Sequence, residues 1–204
     1  MDVLLIGGGG HCVSVIDVLE SEDRFKIAGV IEAENSVATH VMGYPVIGSD
    51  YDLPELMTRF KQYIVTVGQI RSGALRRQLA EKVIAAGGQL VTTVSPSAYI
   101  SSRAMIDKGT FIGHGAVINS NAIIATNCII NSQALTEHDV SIGANSHVST
   151  GALVNGGVTV EDGCFVGSGA IVREQVRIGA NSFVGAGVFV HKDLPPNSYV
   201  KRSV

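Results

Sequence analysis

The sequence predicts an α/β N-terminal domain with a small parallel, Rossmann-like sheet, followed by a left-handed parallel β-helix of six-residue repeats. Three observations lead there. From Ile100 to Val190 an Ile or Val stands at every sixth position in fifteen of sixteen cases, without insertion. Residues 1–94 instead alternate short apolar runs, glycine turns and helical patterns, the order of a parallel sheet. Glycine is abundant at 24 residues and tryptophan is absent, which suits many turns and narrow interiors.

The elements of the first half follow in order. "DVLLI" is a buried strand running into the turn "GGGGH", and "CVSVIDVLES" has helical spacing. "FKIAGVIE" is a second strand and "YPVIGS" a short extended piece. "LPELMTRF" is a helix, "QYIVTVG" a strand, "ALRRQLAEKVIAAGG" a longer helix ended by its glycines, and "QLVTTV" a closing strand. Pro96 marks the boundary, giving domains of 1–94 and 95–204.

The second half is read from its period. Two residues before each Ile or Val marker the side chain is small or β-branched, so both point into a slim interior. Three residues after it stands Gly, Asn or Asp in thirteen of sixteen cases, types that tolerate the positive φ of a sharp corner. Three hexads make an 18-residue triangular coil, and about five coils stack at ~4.8 Å. The outward residues vary (Arg173, Glu174, Asn155, His147), which argues against a flat surface-binding rod.

Composition narrows the function. A net charge of −3 leaves no basic footprint for nucleic acid. The N-terminus lacks a basic leader, and no apolar run approaches the roughly 18 residues of a membrane span. Three cysteines at no metal or disulfide spacing, two of them on the inward phase, indicate buried thiols and a cytoplasmic protein.

The one lapse in the period is Thr136, followed directly by Glu137-His138-Asp139. Losing one buried methyl costs on the order of 1 kcal/mol, and natural sequences break local rules mainly at functional sites. A carboxylate beside an imidazole fixes its tautomer and raises its basicity, so His138 is the candidate general base, with Asp139 or Glu137 as partner. His147 lies nine residues on, half a coil away, so it reaches a His138 only across a subunit boundary. That spacing predicts a trimer with its site between chains. His114 and His191 face outward without acidic sequence neighbours, and His40 sits in a polar loop. Neither 24, 9 nor 33 residues, the separations among His114, His138 and His147, suits paired ligands, so no metal is expected. "GGGGH" opens a helix with free N–H groups, a phosphate site. Cys12 replaces the third glycine of a dinucleotide fingerprint, so a nucleotide diphosphate fits better than NAD. Glu32 ends the second strand, where an acidic residue often holds a ribose or base.

Over its whole length the chain resembles bacterial sugar acetyltransferases with a Rossmann-like N-terminal domain and a left-handed β-helix. These include UDP-amino-sugar N-acetyltransferases of the bacillosamine pathway and sialic-acid O-acetyltransferases. The motifs are "GGGGH", Glu32, "VGQIRSGALRRQL", "PSAYIS", "INSQALTEHDVSIGANSHVSTGA" and "VFVHKDLPPNSYV". The resemblance implies that His138 is the base, that Asp139 takes the place of an acidic residue often Glu, and that Asn131 lies near the base. It implies that His147 approaches the thioester and that Gly156 and Ser168 lie along acetyl-CoA between adjacent rods. It further implies that Gly9, Gly10, His11, Glu32, Gly68 and Arg76 hold the UDP-sugar. The family's terminal Gly-x-Pro-Ala is replaced here by "YVKRSV". The expected activity is acetyl-CoA-dependent N-acetylation of a UDP-linked 4-amino-4,6-dideoxy sugar by direct attack, with His147 or a backbone N–H steadying the oxyanion. The alternatives are O-acetylation of sialic acid or a related hydroxyl, and a non-catalytic scaffold.

Overall fold

A computed structural model describes residues 1–70 and 72–201. Arg71 of the "VGQIRSGALRRQL" motif and the last three residues of "YVKRSV" lie outside the described residues. The chain builds β1 (Asp2–Ile6), α1 (Gly10–Glu22), β2 (Lys26–Glu32), β3 (His40–Val41), β4 (Tyr44–Ser49), α2 (Leu53–Arg59), β5 (Gln62–Val65), α3 (Ala74–Ala85), β6 (Gln89–Leu90) and β7 (Thr93–Val94), then a series of two-residue strands. The first sheet has the order β3-β4-β2-β1-β5-β6. All its pairs are parallel except the β3–β4 hairpin, which the sequence did not announce. Its turn places Met42 and Gly43 at φ 47° and 85°, a conformation usually signalled by Asn-Gly.

"QLVTTV" is two strands. Gln89–Leu90 closes the first sheet against β5, while Thr93–Val94 pairs with Phe111–Ile112 and starts the solenoid. One apolar run therefore hands the backbone from one domain to the other, which a period-2 pattern cannot reveal.

From β7 onward the chain winds as a left-handed β-helix with three faces of seven, six and five strands. The register repeats every 18 residues: Ile118 sits opposite Thr136, and Thr136 opposite Val154. Each strand ends on a marker, and from Ile112 onward the markers are buried in one continuous core with Ala116, Cys128, Ala134 and Cys164. Strands of two residues have almost no independent stability. Each inward Ile or Val contributes roughly 1.5–3 kcal/mol by burial, so coil-on-coil stacking holds the rod. Between Gly109 and Gly187 every sixth residue has positive φ, fourteen in succession, including Gln133 and Gln175.

Outward residues are more regular than the sequence suggested. On the second face Tyr99, Val117, Leu135, Leu153, Ile171 and Phe189 form an apolar column. The first face carries Phe111 and Ile129 under the N-terminal domain, packed on Cys12, Val15 and Ile16 of α1. Polar contacts seal this junction. Glu22 accepts from the Thr93 hydroxyl (2.6 Å), and His114 bridges Asp17 and Ser95, 2.7 Å to each. Among the described residues no helix is long and apolar enough to cross a membrane.

Thr136 is fully buried and donates its hydroxyl to the Val117 carbonyl at 3.3 Å, so the lapse introduces no orphaned group. That bond is long, and Val would restore the inward row between Ile118 and Val154. Thr136→Val should leave thermal stability within about 1 kcal/mol of the parent. A loss above about 2 kcal/mol in denaturant unfolding would show that the hydroxyl is structurally required.

Candidate functional site

The C-terminal ends of β4, β2, β1 and β5 open into a cavity of about 790 Å³ whose far wall is the solenoid. Asp50, Glu32, Gly7 to His11, Gly68, Gln69, Asn131 and His147 line it. A Cβ at Gly8 would lie 2.2 Å from Glu32 Oε1, so the bare backbone is what lets Glu32 accept the Gly8 N–H at 2.7 Å. The other carboxylate oxygen accepts from Ala33 N at 3.0 Å. At Gly9 and Gly10 a Cβ would meet no protein atom within 4 Å. Their missing side chains thus keep the mouth of α1 open, in a first turn with no acidic residue and no side-chain cap. Unpaired N–H groups at a helix start attract phosphate.

Two histidines stand in this cavity in neutral form. His147 donates through Nδ1 to the Gln69 carbonyl (2.7 Å) and receives the Asn131 amide at Nε2 (3.3 Å). Burial lowers its pKa to about 4, against the Gln69 bond that favours the cation, and Arg76 lowers it further. His11 stacks edge-on against Phe111, its ring centroid 5.0 Å away. Burial, then Arg76 and His147, lowers its pKa to about 3, and its Nε2 lacks a partner among the described residues. A Cβ at Gly68 would lie 3.4 Å from the His11 Cβ, ordinary contact distance.

His138 occupies the next corner of the same coil and is exposed. Its Nδ1 lies 2.8 Å from Asp139 Oδ2, which leaves Nε2 to act as a base. Asp139 sits at φ 60°, the left-handed corner conformation that Asp tolerates better than Glu. Asn121, one coil below, donates to its other oxygen at 3.1 Å. The Asp139 hydrogen bond raises the His138 pKa above its ordinary value despite some desolvation, with the Asp139 and Glu137 charges adding to the rise. Glu137 turns elsewhere: one oxygen accepts from Asn119 (2.9 Å) and from the His138 backbone N–H (3.2 Å). The imidazole lies over Gly156, where a Cβ would come 2.7 Å from both Cε1 and Nε2.

Several sequence assignments change. Arg76 does not reach the cavity. It is buried, and its guanidinium donates to the carbonyls of Val65 and Val67 on one side and of Gly109 (3.4 Å) and Asn127 (3.3 Å) on the other. It joins the two domains, and burial lowers its pKa to about 10. Asn131 is at a different corner from His138 and pairs with His147 instead. His147 has its one N–H committed to Gln69, so it has none to offer an oxyanion. Glu137 orders the corner backbone rather than the imidazole. Gly156 is the floor beneath His138, and Ser168 bonds Ser149 at 3.0 Å on the corner that stacks above Asn131. Asp50, Gln69 and Asn121 were missed. Gln69 lies inside a quoted motif, but a backbone carbonyl that holds a histidine leaves no trace in residue type. No group of three His, Cys, Asp or Glu side chains suited to a metal occurs among the described residues.

Comparison with known proteins adds to this geometry. Residues 2–83 match the PglD N-terminal domain, and residues 157–192 match the bacterial transferase hexapeptide repeats. PerB from Caulobacter crescentus, solved with CoA and GDP-perosamine, is 34% identical, with 98% of this chain and 93% of that chain aligned at a TM-score of 0.90. Histidine-to-asparagine and histidine-to-alanine variants of that perosamine N-acetyltransferase, with the same ligands, superpose equally well. The acetyltransferase domain of PglB from Neisseria gonorrhoeae, solved with acetyl coenzyme A, is 27% identical over 97% of this chain and 94% of that one (TM-score 0.89). No curated protein sequence matches significantly.

Two outcomes are expected. Asp139→Asn keeps the corner conformation but removes the charge, so the His138 pKa should fall, read from imidazole NMR shifts against pH; an unchanged midpoint would detach Asp139 from the ring. Arg76→Met should destabilise the protein by about 3 kcal/mol, since four carbonyls lose their buried donor. Unchanged stability with weakened nucleotide binding would return Arg76 to the ligand.

Proposed function

Because this chain belongs to the acetyl-CoA-dependent sugar N-acetyltransferases that join a PglD-type N-terminal domain to a hexapeptide-repeat β-helix, we propose that it acetylates the amine of a nucleotide-linked 4-amino-4,6-dideoxy sugar. The observation that carries this reading is the His138–Asp139 pair over Gly156: a tautomer-fixed base with Nε2 open on a corner that has no side chain in the way. The nucleotide diphosphate occupies the cavity of the first domain, with its phosphates at Gly8 to Gly10 and its sugar toward Asn131 and His147. The whole-length similarity to a perosamine N-acetyltransferase favours N- over O-acetylation and argues against a scaffold.

The sugar amine attacks the thioester carbonyl of acetyl-CoA. His138 Nε2 takes a proton from the attacking nitrogen, and collapse of the tetrahedral intermediate releases CoA as the thiol. A backbone N–H, rather than His147, steadies the oxyanion. Within one chain the His138 corner and the cavity are separate, so the site is completed between subunits of a homotrimer. The apolar column of the second face, whose Leu135 strand leads into the His138 corner, supports that packing. Acetyl-CoA lies along the groove between rods, past Gly156 and Ser168, and the protein works in the cytoplasm.

The pH dependence follows from the sign of the shift. The base acts when unprotonated, and Asp139 raises its pKa, so turnover should climb as pH rises through that raised value. His138→Ala should cut turnover about a hundredfold or more while the oligomer survives. The measurement is mass spectrometry of amino-sugar nucleotides incubated with acetyl-CoA. Near-parental turnover in the variant would remove His138 from the mechanism, and no acetylated product from any amino sugar with the parent protein would sink the assignment.

A further inference from the structure

Resting on the nucleotide-sugar reading, we infer that Gln69 is a positioning residue for the reaction: it fixes His147 as a bare acceptor at Nε2, turned to receive an N–H of the sugar amine. Gln69 belongs to the first domain, in the loop between β5 and α3, yet its side chain and its carbonyl are both tied to the solenoid. The side-chain amide donates to the carbonyls of Gly163 (3.4 Å) and Cys164 (3.2 Å), and the Gln69 carbonyl accepts from His147 Nδ1 at 2.7 Å. Room for the amide comes from Gly73, where a Cβ would lie 2.8 Å from both Gln69 Cδ and Oε1. Oε1 is buried without a partner among the described residues. Turning the amide over would press that oxygen against the Gly163 and Cys164 carbonyls, so the donor's direction is fixed. An orphaned buried acceptor costs stability, which is expected where function rather than folding selects the residue.

These bonds form one directed series. The Ser132 N–H donates to Asn131 Oδ1 at 2.8 Å, which turns the Asn131 amide nitrogen toward His147 Nε2. His147 donates in turn to the Gln69 carbonyl, and the Gln69 amide to the solenoid backbone. A backbone N–H at one end and backbone carbonyls at the other cannot exchange roles. The imidazole therefore has one tautomer, with its proton on Nδ1 and its lone pair on Nε2. Phe165 meets the ring edge-on, centroids 5.2 Å apart, and holds its plane. The Asn131 bond, at 3.3 Å, is at the long end of the range, so a better donor displaces it. His147 and Asn131 line the solenoid wall of the cavity, where the sugar lies in this reading. A bare acceptor there repels phosphate and carbonyl oxygens and requires an N–H or O–H. The group of the sugar that must approach acetyl-CoA is the amine. With one amine N–H on His147 and another on the base, the nitrogen lone pair is left facing the thioester carbon. Burial keeps the His147 ring neutral, so it orients the amine and takes no proton from it.

Nitrogen NMR of the full chain with labelled histidine reads the tautomer directly. His147 should show a protonated Nδ1 and a bare Nε2, and a proton on Nε2 would overturn the assignment. Gln69→Met keeps the side-chain length but removes the donor, and Gly73→Ala displaces the amide without altering it. Each should lower kcat about tenfold and raise the fraction of His147 protonated at Nε2, while calorimetric affinity for UDP and GDP stays within about twofold of the parent. Gly73→Ala decides the matter if Gln69→Met does not fold. Unchanged kcat in either folded variant would overturn the positioning role. So would a loss of kcat matched by an equal loss of nucleotide affinity, which would make Gln69 a structural tie alone. Absence of acetylated product when the parent meets amino-sugar nucleotides and acetyl-CoA would instead overturn the nucleotide-sugar reading, with the tautomer still legible in the spectrum.

Discussion

The left-handed backbone demanded at each corner is the constraint on which this molecule turns. A slim triangular coil reverses direction within a few residues, and it does so through one positive-φ residue every six. That requirement decides what each corner can carry. At position 139 it admits Asp more readily than Glu, and the short carboxylate then meets the imidazole of the preceding residue directly. The coil above contributes Gly156, whose bare α-carbon gives the ring its place. Imidazole, orienting carboxylate and floor thus come from the corner rule and the 18-residue register.

The second organising contact is the buried guanidinium of Arg76. Among the described residues it has no carboxylate partner, and it is satisfied by carbonyls from both domains. Its charge is sensed by His11 and His147, where it adds to desolvation in keeping both rings neutral. The histidines of one chain are therefore divided by environment. Buried His11 and His147 serve as a packing group and a neutral acceptor, while exposed His138 is made more basic by its neighbour. Opposite shifts in groups of one type are how a protein assigns separate roles to them.

Between these sits the junction, built where "QLVTTV" leaves one sheet for another. Since α1 packs on the outer side of the first coils, the glycine loop that opens it is held at a set height along the rod. The cavity is consequently continuous from the first sheet to Asn131 and His147. A nucleotide-linked sugar is long enough to use such a channel, with recognition at one end and reaction at the other.

The sequence by itself determined the rod, its handedness by precedent and its inward residues, and it singled out the corner where His138 and Asp139 pair. A six-residue period records burial directly, because every inward position meets the same narrow space. It also identified the glycine loop and Glu32, whose residue types follow from local backbone needs. Only the tertiary structure decided that Arg76 joins domains, that Asp139 rather than Glu137 holds the imidazole, and that His147 pairs with Asn131 in the first-domain cavity. For Arg76 and His147 the partners, most of them backbone carbonyls, come from 9 to 78 positions away. Carbonyls are common to every residue, so which of them face a buried guanidinium or imidazole is settled only when the two domains close on each other.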